Sequence, residues 1–205
     1  MQVLEQKMIR PLPQRIVWVY SVWQHAYERI MKVQRKPKVE FHRGFDDELY
    51  ETLDPTVRNL VVLDDQMENQ DMHKGSGSKL ARFFTEGSHH LNLTIIYIVQ
   101  NVFHHAPAMR TVSLNSNYLV LFHNARDKTQ IRTLAMQMFP SNPRFLTDAF
   151  EDATSTPYGY LVVDIKPDTP SVVRVRTSVF NPSEQVVYLA PDEQQHGGGC
   201  IDVPV

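Results

Sequence analysis

Residues Asn59–Asp65 read Asn-Leu-Val-Val-Leu-Asp-Asp. The four apolar residues of this stretch, Leu60 to Leu63, follow one another without a polar interruption. Such a run is typical of a strand that is buried on both faces, as the central strands of a parallel sheet are. The stretch therefore predicts an α/β protein with a central parallel strand over residues 59–64.

Two carboxylates, Asp64 and Asp65, end this predicted strand. Ligands of α/β sheets bind outside the carboxyl ends of the strands, and an apolar strand that ends in acidic residues is the pattern of a Walker B element. In a nucleotide hydrolase, Asp64 would hold Mg²⁺ through its water shell, and Asp65 would orient and activate the attacking water. The alternative is that the pair only ends the strand and caps the segment that follows.

A phosphate-binding loop is the other half of such a site, and the sequence contains no Gly-x-x-x-x-Gly-Lys-Ser/Thr motif. Residues 75–79, Gly-Ser-Gly-Ser-Lys, are similar to this motif only in composition. They follow the acidic strand and lack the Gly-Lys-Ser/Thr ending, so we expect a flexible lead into a helix. The residues alone indicate an ATPase core without its phosphate-binding loop.

Apolar runs and helical periodicity predict the remaining elements. Apolar strands are expected at 15–20, 93–99 and 118–122, with a short strand at 39–42. Helices are expected at 21–33, where Ser21 would be the N-cap, and at 46–53, 79–87, 127–138 and from 142 onward. Strands 160–165 and 172–179 end the pattern as a hairpin. Together these elements predict a three-layer α/β fold, in which a mostly parallel sheet has helices on both faces and a C-terminal β-hairpin follows.

Length and composition allow one globular core, because 42% of the 205 residues are hydrophobic. We expect an ATPase-like core over residues 1–180 and a disordered tail over 181–205. No stretch is long and apolar enough to cross a bilayer and the N-terminus has no signal-type segment, which predicts a soluble intracellular protein without a membrane partner. The single Cys200 excludes a disulfide within the chain and a zinc site built from cysteines.

The net charge of −2 provides no overall attraction to nucleic acid, so such binding would need a local patch. Residues 28–43 contain six Lys or Arg residues, and Glu28 and Glu40 neutralise part of their positive charge. This segment could contact phosphates, but we favour a solvated helix end and linker.

Gln100 and Asn101 follow the strand predicted at 93–99. Many ATPases place, at the end of the strand next to Walker B, a polar group that senses the γ-phosphate and orients the attacking water. Gln100 is therefore a candidate for this role. The alternative is a turn former or a cap at the end of the sheet.

Several ordered blocks of the sequence have the pattern of one protein family. They are Arg-Ile-Val-Trp-Val-Tyr (15–20), Leu-Asp-Pro-Thr-Val-Arg-Asn-Leu-Val-Val-Leu-Asp-Asp (53–65), Gly-Ser-His-His-Leu-Asn-Leu-Thr-Ile-Ile-Tyr-Ile-Val-Gln-Asn (87–101), Met-Arg-Thr-Val-Ser-Leu-Asn (109–115), Asn-Ala-Arg-Asp-Lys-Thr-Gln-Ile (124–131) and Pro-Tyr-Gly-Tyr-Leu-Val-Val-Asp (157–164). In this order they resemble the genome-packaging ATPases of double-stranded DNA viruses and Polinton/Maverick elements, within the FtsK/HerA group of P-loop ATPases. The resemblance covers about residues 10–180 and is more specific than the Walker B pattern alone.

The resemblance implies an ATP-driven motor that packages or translocates double-stranded DNA, with Mg²⁺ and ATP as cofactors. It assigns Asp64 and Asp65 to the Walker B pair and Gln100 to the sensor position. Arg110 or Arg126 would be an arginine finger that reaches a neighbouring subunit of a homo-oligomeric ring. Capsid components would be further partners, and the nucleus or the virion would be the location.

The departure from the family is the Walker A loop, which family members carry before the strand at 15–20. The sequence begins downstream of that position, so we expect the affinity of this chain for nucleotide to be much reduced. Three explanations are open: a fragment or a misassigned gene start, a split motor whose loop comes from another chain, or a degenerate copy. We favour the first. In addition, Asp65 is one methylene shorter than the Glu that is common at this position.

Two other functions compete with the motor. The first is a non-catalytic scaffold or assembly domain that retains the ATPase fold. The second is a metal-dependent nuclease that uses Asp64 and Asp65, although the sequence offers no third carboxylate or Lys at a convincing spacing.

Overall fold

A computed structural model of the chain describes residues 2–45, 47–66, 79–87, 91–101, 107–125 and 129–190. The chain divides into two compact units, Met1–Asn115 and Ser116–Val205. None of the helices in the described ranges has the length and the hydrophobicity that a bilayer-spanning segment needs.

The first unit is built on a parallel sheet with the strand order β2-β1-β3-β4. Its strands are β1 Arg15–Tyr20, β2 Val39–Arg43, β3 Asn59–Asp64 and β4 Leu93–Ile98. Its helices are α1 Gln2–Glu5, α2 His25–Val33, α3 Asp47–Glu51, α4 Lys79–Arg82, which continues as a π-helical turn Phe83–Gly87, and α5 Pro107–Asn115. The strand predicted at 59–64 is confirmed as β3, and it lies between β1 and β4.

Alternate side chains of β1 and β3 point to opposite faces of the sheet, and both faces are buried. On one face Ile16, Trp18, Leu60 and Val62 pack with Leu4 of α1 and with Tyr27 and Ile30 of α2. On the other face Val17, Val19, Val61 and Leu63 pack with residues of α3, α4, the π-helical turn and α5. The predicted arrangement, a parallel sheet with helices on both faces, is confirmed for this unit.

The second unit is an antiparallel sheet in the order β5-β6-β7-β8 with two helices. Its strands are β5 Tyr118–Phe122, β6 Tyr160–Asp164, β7 Val175–Thr177 and β8 Val186–Tyr188, and its helices are α6 Thr129–Met138 and α7 Pro143–Ala153. Helix α7 begins at the Asn142-Pro143 pair and buries Leu146, Ala149, Phe150 and Ala153, which share one helical face. The predicted C-terminal hairpin is confirmed as β6 and β7, and a 3₁₀ turn, Ser171–Val173, lies in its connection.

Strand β5 is predicted as part of one mostly parallel sheet, but it lies in the antiparallel sheet of the second unit. It pairs antiparallel with β6, so that Leu119 and Leu121 are opposite Val163 and Leu161. Of these four side chains three are buried, because this pairing joins the apolar face of β5 to that of β6. The fourth strand of the parallel sheet is instead β2, which pairs with β1.

Strand β8 lies inside the range 181–205, for which the sequence predicts a disordered tail. Val186 to Tyr188 pair with β7, and the Tyr188 hydroxyl donates a hydrogen bond of 2.6 Å to the Asp152 carboxylate. Strand pairing and this side-chain contact therefore order the beginning of the range. Residues 191–205 lie outside the described residues.

Candidate functional site

The carboxyl ends of β1 and β3 form a switch point in the parallel sheet. The chain leaves β1 through α2, which packs on one face, and leaves β3 toward α4, which packs on the other face. Neighbouring strands whose connections leave in opposite directions open a crevice at their carboxyl ends, and this is where α/β sheets bind ligands. The polar residues at this crevice are Ser21, Asp64 and Asp65, whereas the side chain of Tyr20 packs with the aromatic residues on the α2 face.

Asp64 and Asp65 lie together at this switch point, where the sequence analysis predicts the site. Asp64 is the last residue of β3, is half-buried and is level with Tyr20 of β1. Asp65 is exposed and has a φ of 52°, in the left-handed region. Asp adopts this conformation more readily than most residues, and non-glycine residues in it are concentrated at functional sites.

A partly buried hydrogen-bond network fixes the backbone of the acidic pair. The Ser21 hydroxyl donates to the Asp65 carbonyl at 2.5 Å, and the Gln66 amide donates to the Ser21 hydroxyl and to the Asp64 carbonyl, both at 3.0 Å. Gln66 is only 1% exposed, so the inner part of the network is buried, whereas Asp65 at its outer end is exposed. The network joins the end of β1 to the residues that follow β3.

The prediction that Ser21 caps α2 is wrong. The helix begins at His25 after Gln24, whose side chain makes no capping hydrogen bond. The Ser21 hydroxyl donates to the Asp65 carbonyl and does not cap the helix.

Two tyrosines, the buried Tyr27 and the half-buried Tyr97, flank the carboxylates from opposite faces of the sheet. On the α2 face, the Tyr27 hydroxyl donates to Asp64 Oδ2 at 2.9 Å. On the other face, Tyr97 of β4 is level with Leu63, and its buried hydroxyl has no hydrogen-bond partner among the described residues. Burial and, after it, the charge of Asp65 raise the pKa of Tyr97 to about 12. Tyr97 is therefore a neutral hydroxyl near Asp65.

Of the other predicted site residues, the structure describes Gln100 and Arg110 but not Arg126. Gln100 is exposed and follows β4, two residues beyond Ile98, which is level with Asp64. Arg110 is exposed on α5 and makes no hydrogen bond or ion pair with either carboxylate in the described part of the chain. Arg126 and residues 75–78 of the glycine-rich segment lie outside the described residues. The structure thus groups Asp64, Asp65 and the end of β4, whereas the roles of Arg110 and Arg126 stay predictions.

The carboxylate pair suits a magnesium ion that is shared with a phosphate ligand. The described residues contain no group of three or more His, Cys, Asp and Glu side chains that could hold a metal ion. Mg²⁺ usually keeps several waters and is bound by one or two carboxylates together with substrate phosphates. Asp64 and Asp65 at an open crevice fit this requirement.

Three residues of the site, Ser21, Gln66 and Tyr27, are not identified by sequence reasoning. Ser21 carries the clearest signal, because it is the first polar residue after a buried strand, at the end where ligands bind. Gln66 directly follows the acidic pair, but its burial cannot be read from a polar segment. Tyr27 lies 37 positions from Asp64 and is brought to it only by the packing of α2 on the sheet.

Comparison with known proteins found similarity to solved structures only. No family model matches the chain. No curated protein matches it either. Structures of the genome packaging NTPase B204 from Sulfolobus turreted icosahedral virus 2 are similar to it. The complex with sulfate has 13% identity and a TM-score of 0.48 over 85% of this chain and 83% of that chain. The complex with ATP-gammaS has 12% identity and a TM-score of 0.45 over 80% of this chain and 96% of that chain. The complex with AMP has 14% identity and a TM-score of 0.44 over 80% and 81%.

Proposed function

We propose that this chain is part of an ATP-driven motor that packages or translocates double-stranded DNA. The observation that carries the proposal is the position of Asp64 and Asp65. They end the strand between β1 and β4, lie at the switch point of a parallel sheet, and are fixed by Ser21 and Gln66. A nucleotide hydrolase needs its carboxylates at this location.

The roles of the side chains follow from their chemistry. When bound, Mg²⁺ neutralises charge on the phosphates of ATP, and Asp64 would hold it through the water shell. Asp65, exposed at the crevice, would orient the attacking water and accept its proton. Gln100, beyond the end of the adjoining strand, would contact the γ-phosphate side of the nucleotide. Arg110 or Arg126 would act on the nucleotide of a neighbouring subunit in a ring.

The basic segment of α2 and β2 supports contact with DNA. Five of its cations are exposed and have no acidic partner among the described residues: Lys32, Arg35, Lys36, Lys38 and Arg43. The nearby carboxylate of Glu40 is bound by Arg15, with N and O atoms 2.8 Å apart. Unpaired cations bind DNA phosphates by releasing counterions, so their contribution falls as the salt concentration rises.

The test is the rate of ATP hydrolysis with and without double-stranded DNA at millimolar Mg²⁺ and ATP. We expect DNA to raise the rate at low salt, and the double variant Lys36→Gln with Lys38→Gln to lose most of this increase. Arg132→Gln, which removes an exposed cation of α6, is the matched control and should behave as the unmodified chain. No hydrolysis under any condition, together with no Mg²⁺-dependent binding of ATP, would contradict the proposal and support a non-catalytic scaffold.

A further inference from the structure

Tyr27 ends in the candidate metal site although it belongs to the core. Its side chain is 2% exposed, and its hydroxyl lies 2.9 Å from Asp64 Oδ2. A phenol that donates to an ionised carboxylate forms a charge-assisted hydrogen bond, which is stronger than a bond between neutral groups.

Four aromatic rings fix the ring of Tyr27 in this position. Its centroid lies 5.6 Å from Trp18, 5.6 Å from Tyr20, 5.2 Å from Trp23 and 5.5 Å from Phe41. Aromatic rings at such distances stabilise one another by more than the burial of their surface area alone. Because β1, β2 and α2 all contribute to this cluster, the hydroxyl cannot move away from Asp64 unless the cluster repacks.

The contact also distinguishes the two carboxylate oxygens of Asp64. Oδ2 accepts the Tyr27 hydrogen bond, whereas Oδ1 accepts none from the described residues. Asp64 is half-buried, so its side chain is still reached by solvent at the crevice. With Oδ2 occupied, Oδ1 is the oxygen that is left for a hydrated cation.

We propose that Tyr27 is a positioning residue that holds the Asp64 carboxylate in the orientation needed for a divalent cation; this inference rests on the proposed function. Groups that hydrogen-bond to a metal ligand orient it, and their loss typically costs about 10- to 100-fold in metal affinity. A packing role alone would not require the hydroxyl, because the ring makes the aromatic contacts. The hydroxyl is therefore the part of Tyr27 that the experiment removes.

The experiment measures the affinity for Mn²⁺ in the presence of ATP, by electron paramagnetic resonance of free Mn²⁺. Tyr27→Phe keeps the ring and removes the donor, and we expect its Mn²⁺ affinity to fall by about 10- to 100-fold. Tyr20→Phe is the matched control, since it removes a hydroxyl from the same cluster that makes no hydrogen bond within the described ranges. It should bind Mn²⁺ as the unmodified chain does. Asp64→Asn should show no saturable binding.

The outcomes separate this inference from the proposed function. Equal Mn²⁺ affinity in Tyr27→Phe and the unmodified chain, with binding lost in Asp64→Asn, would overturn the role of Tyr27 and leave the proposed function standing. Equal behaviour of the unmodified chain and Asp64→Asn would overturn both. The thermal midpoints of Tyr27→Phe and Tyr20→Phe are compared in parallel. An affinity loss that Tyr20→Phe shares in proportion to its loss of stability would indicate a packing effect and contradict the inference.

Discussion

Replacing Asp65 with asparagine is expected to lower kcat/KM for Mg²⁺-dependent ATP hydrolysis by about 10²- to 10⁴-fold, the usual contribution of a general base. An amide cannot accept the proton of the attacking water. The backbone should remain in place, because Asn tolerates the left-handed conformation and the Ser21 hydroxyl bonds to the Asp65 carbonyl rather than to its side chain. The measurement is hydrolysis at millimolar Mg²⁺ and ATP, since the sequence contains no phosphate-binding loop motif.

The control for this variant is Asp148→Asn, which removes a carboxylate that is 66% exposed on α7. Its kcat/KM should equal that of the unmodified chain. Unchanged hydrolysis in Asp65→Asn, with measurable activity in the unmodified chain, would mean that Asp65 does not activate the water.

Replacing Leu63 with alanine is expected to lower the free energy of unfolding by about 2–5 kcal/mol, the usual cost of truncating a fully buried leucine. Leu63 is 0% exposed and packs on the sheet face that α3, α4 and α5 cover. Leu63 directly precedes Asp64, so its truncation would leave a cavity next to the acidic pair. Urea unfolding, followed by far-UV circular dichroism, measures the change.

Leu114→Ala is the matched control for Leu63→Ala. Leu114 is 74% exposed on α5, so the same chemical change should alter stability by no more than about 0.5 kcal/mol. Similar losses in the two variants would contradict the central position of β3.

Hydrophobic patterns predict the strands that are buried on both faces and the helices that bury one continuous face. Strands β1 and β3 are recognised because their apolar runs are covered on both faces, and α7 is recognised because its apolar residues share one face. The acidic end of β3 is predicted for a related reason. A buried strand that stops at two carboxylates marks the point where the backbone reaches the surface of the sheet.

Pairing partners and side-chain contacts could not be predicted in the same way. The apolar run of β5 is compatible with a parallel or an antiparallel neighbour, and only its register with β6 shows which one it has. Ser21 could cap a helix or bond elsewhere, and the position of Asp65 decides between these possibilities. Tyr27 has the spacing of an ordinary core residue, because periodicity reports where a side chain is buried and not what its polar atom contacts.

We expect Asp64 to bind the metal of a metal–nucleotide complex at the switch point. The most direct test is isothermal calorimetry of Mg²⁺-ATP with the 205-residue chain and with Asp64→Ala. We expect weak, saturable binding by the unmodified chain and none by the variant. Indistinguishable titrations, whether both chains bind or neither does, would contradict this expectation.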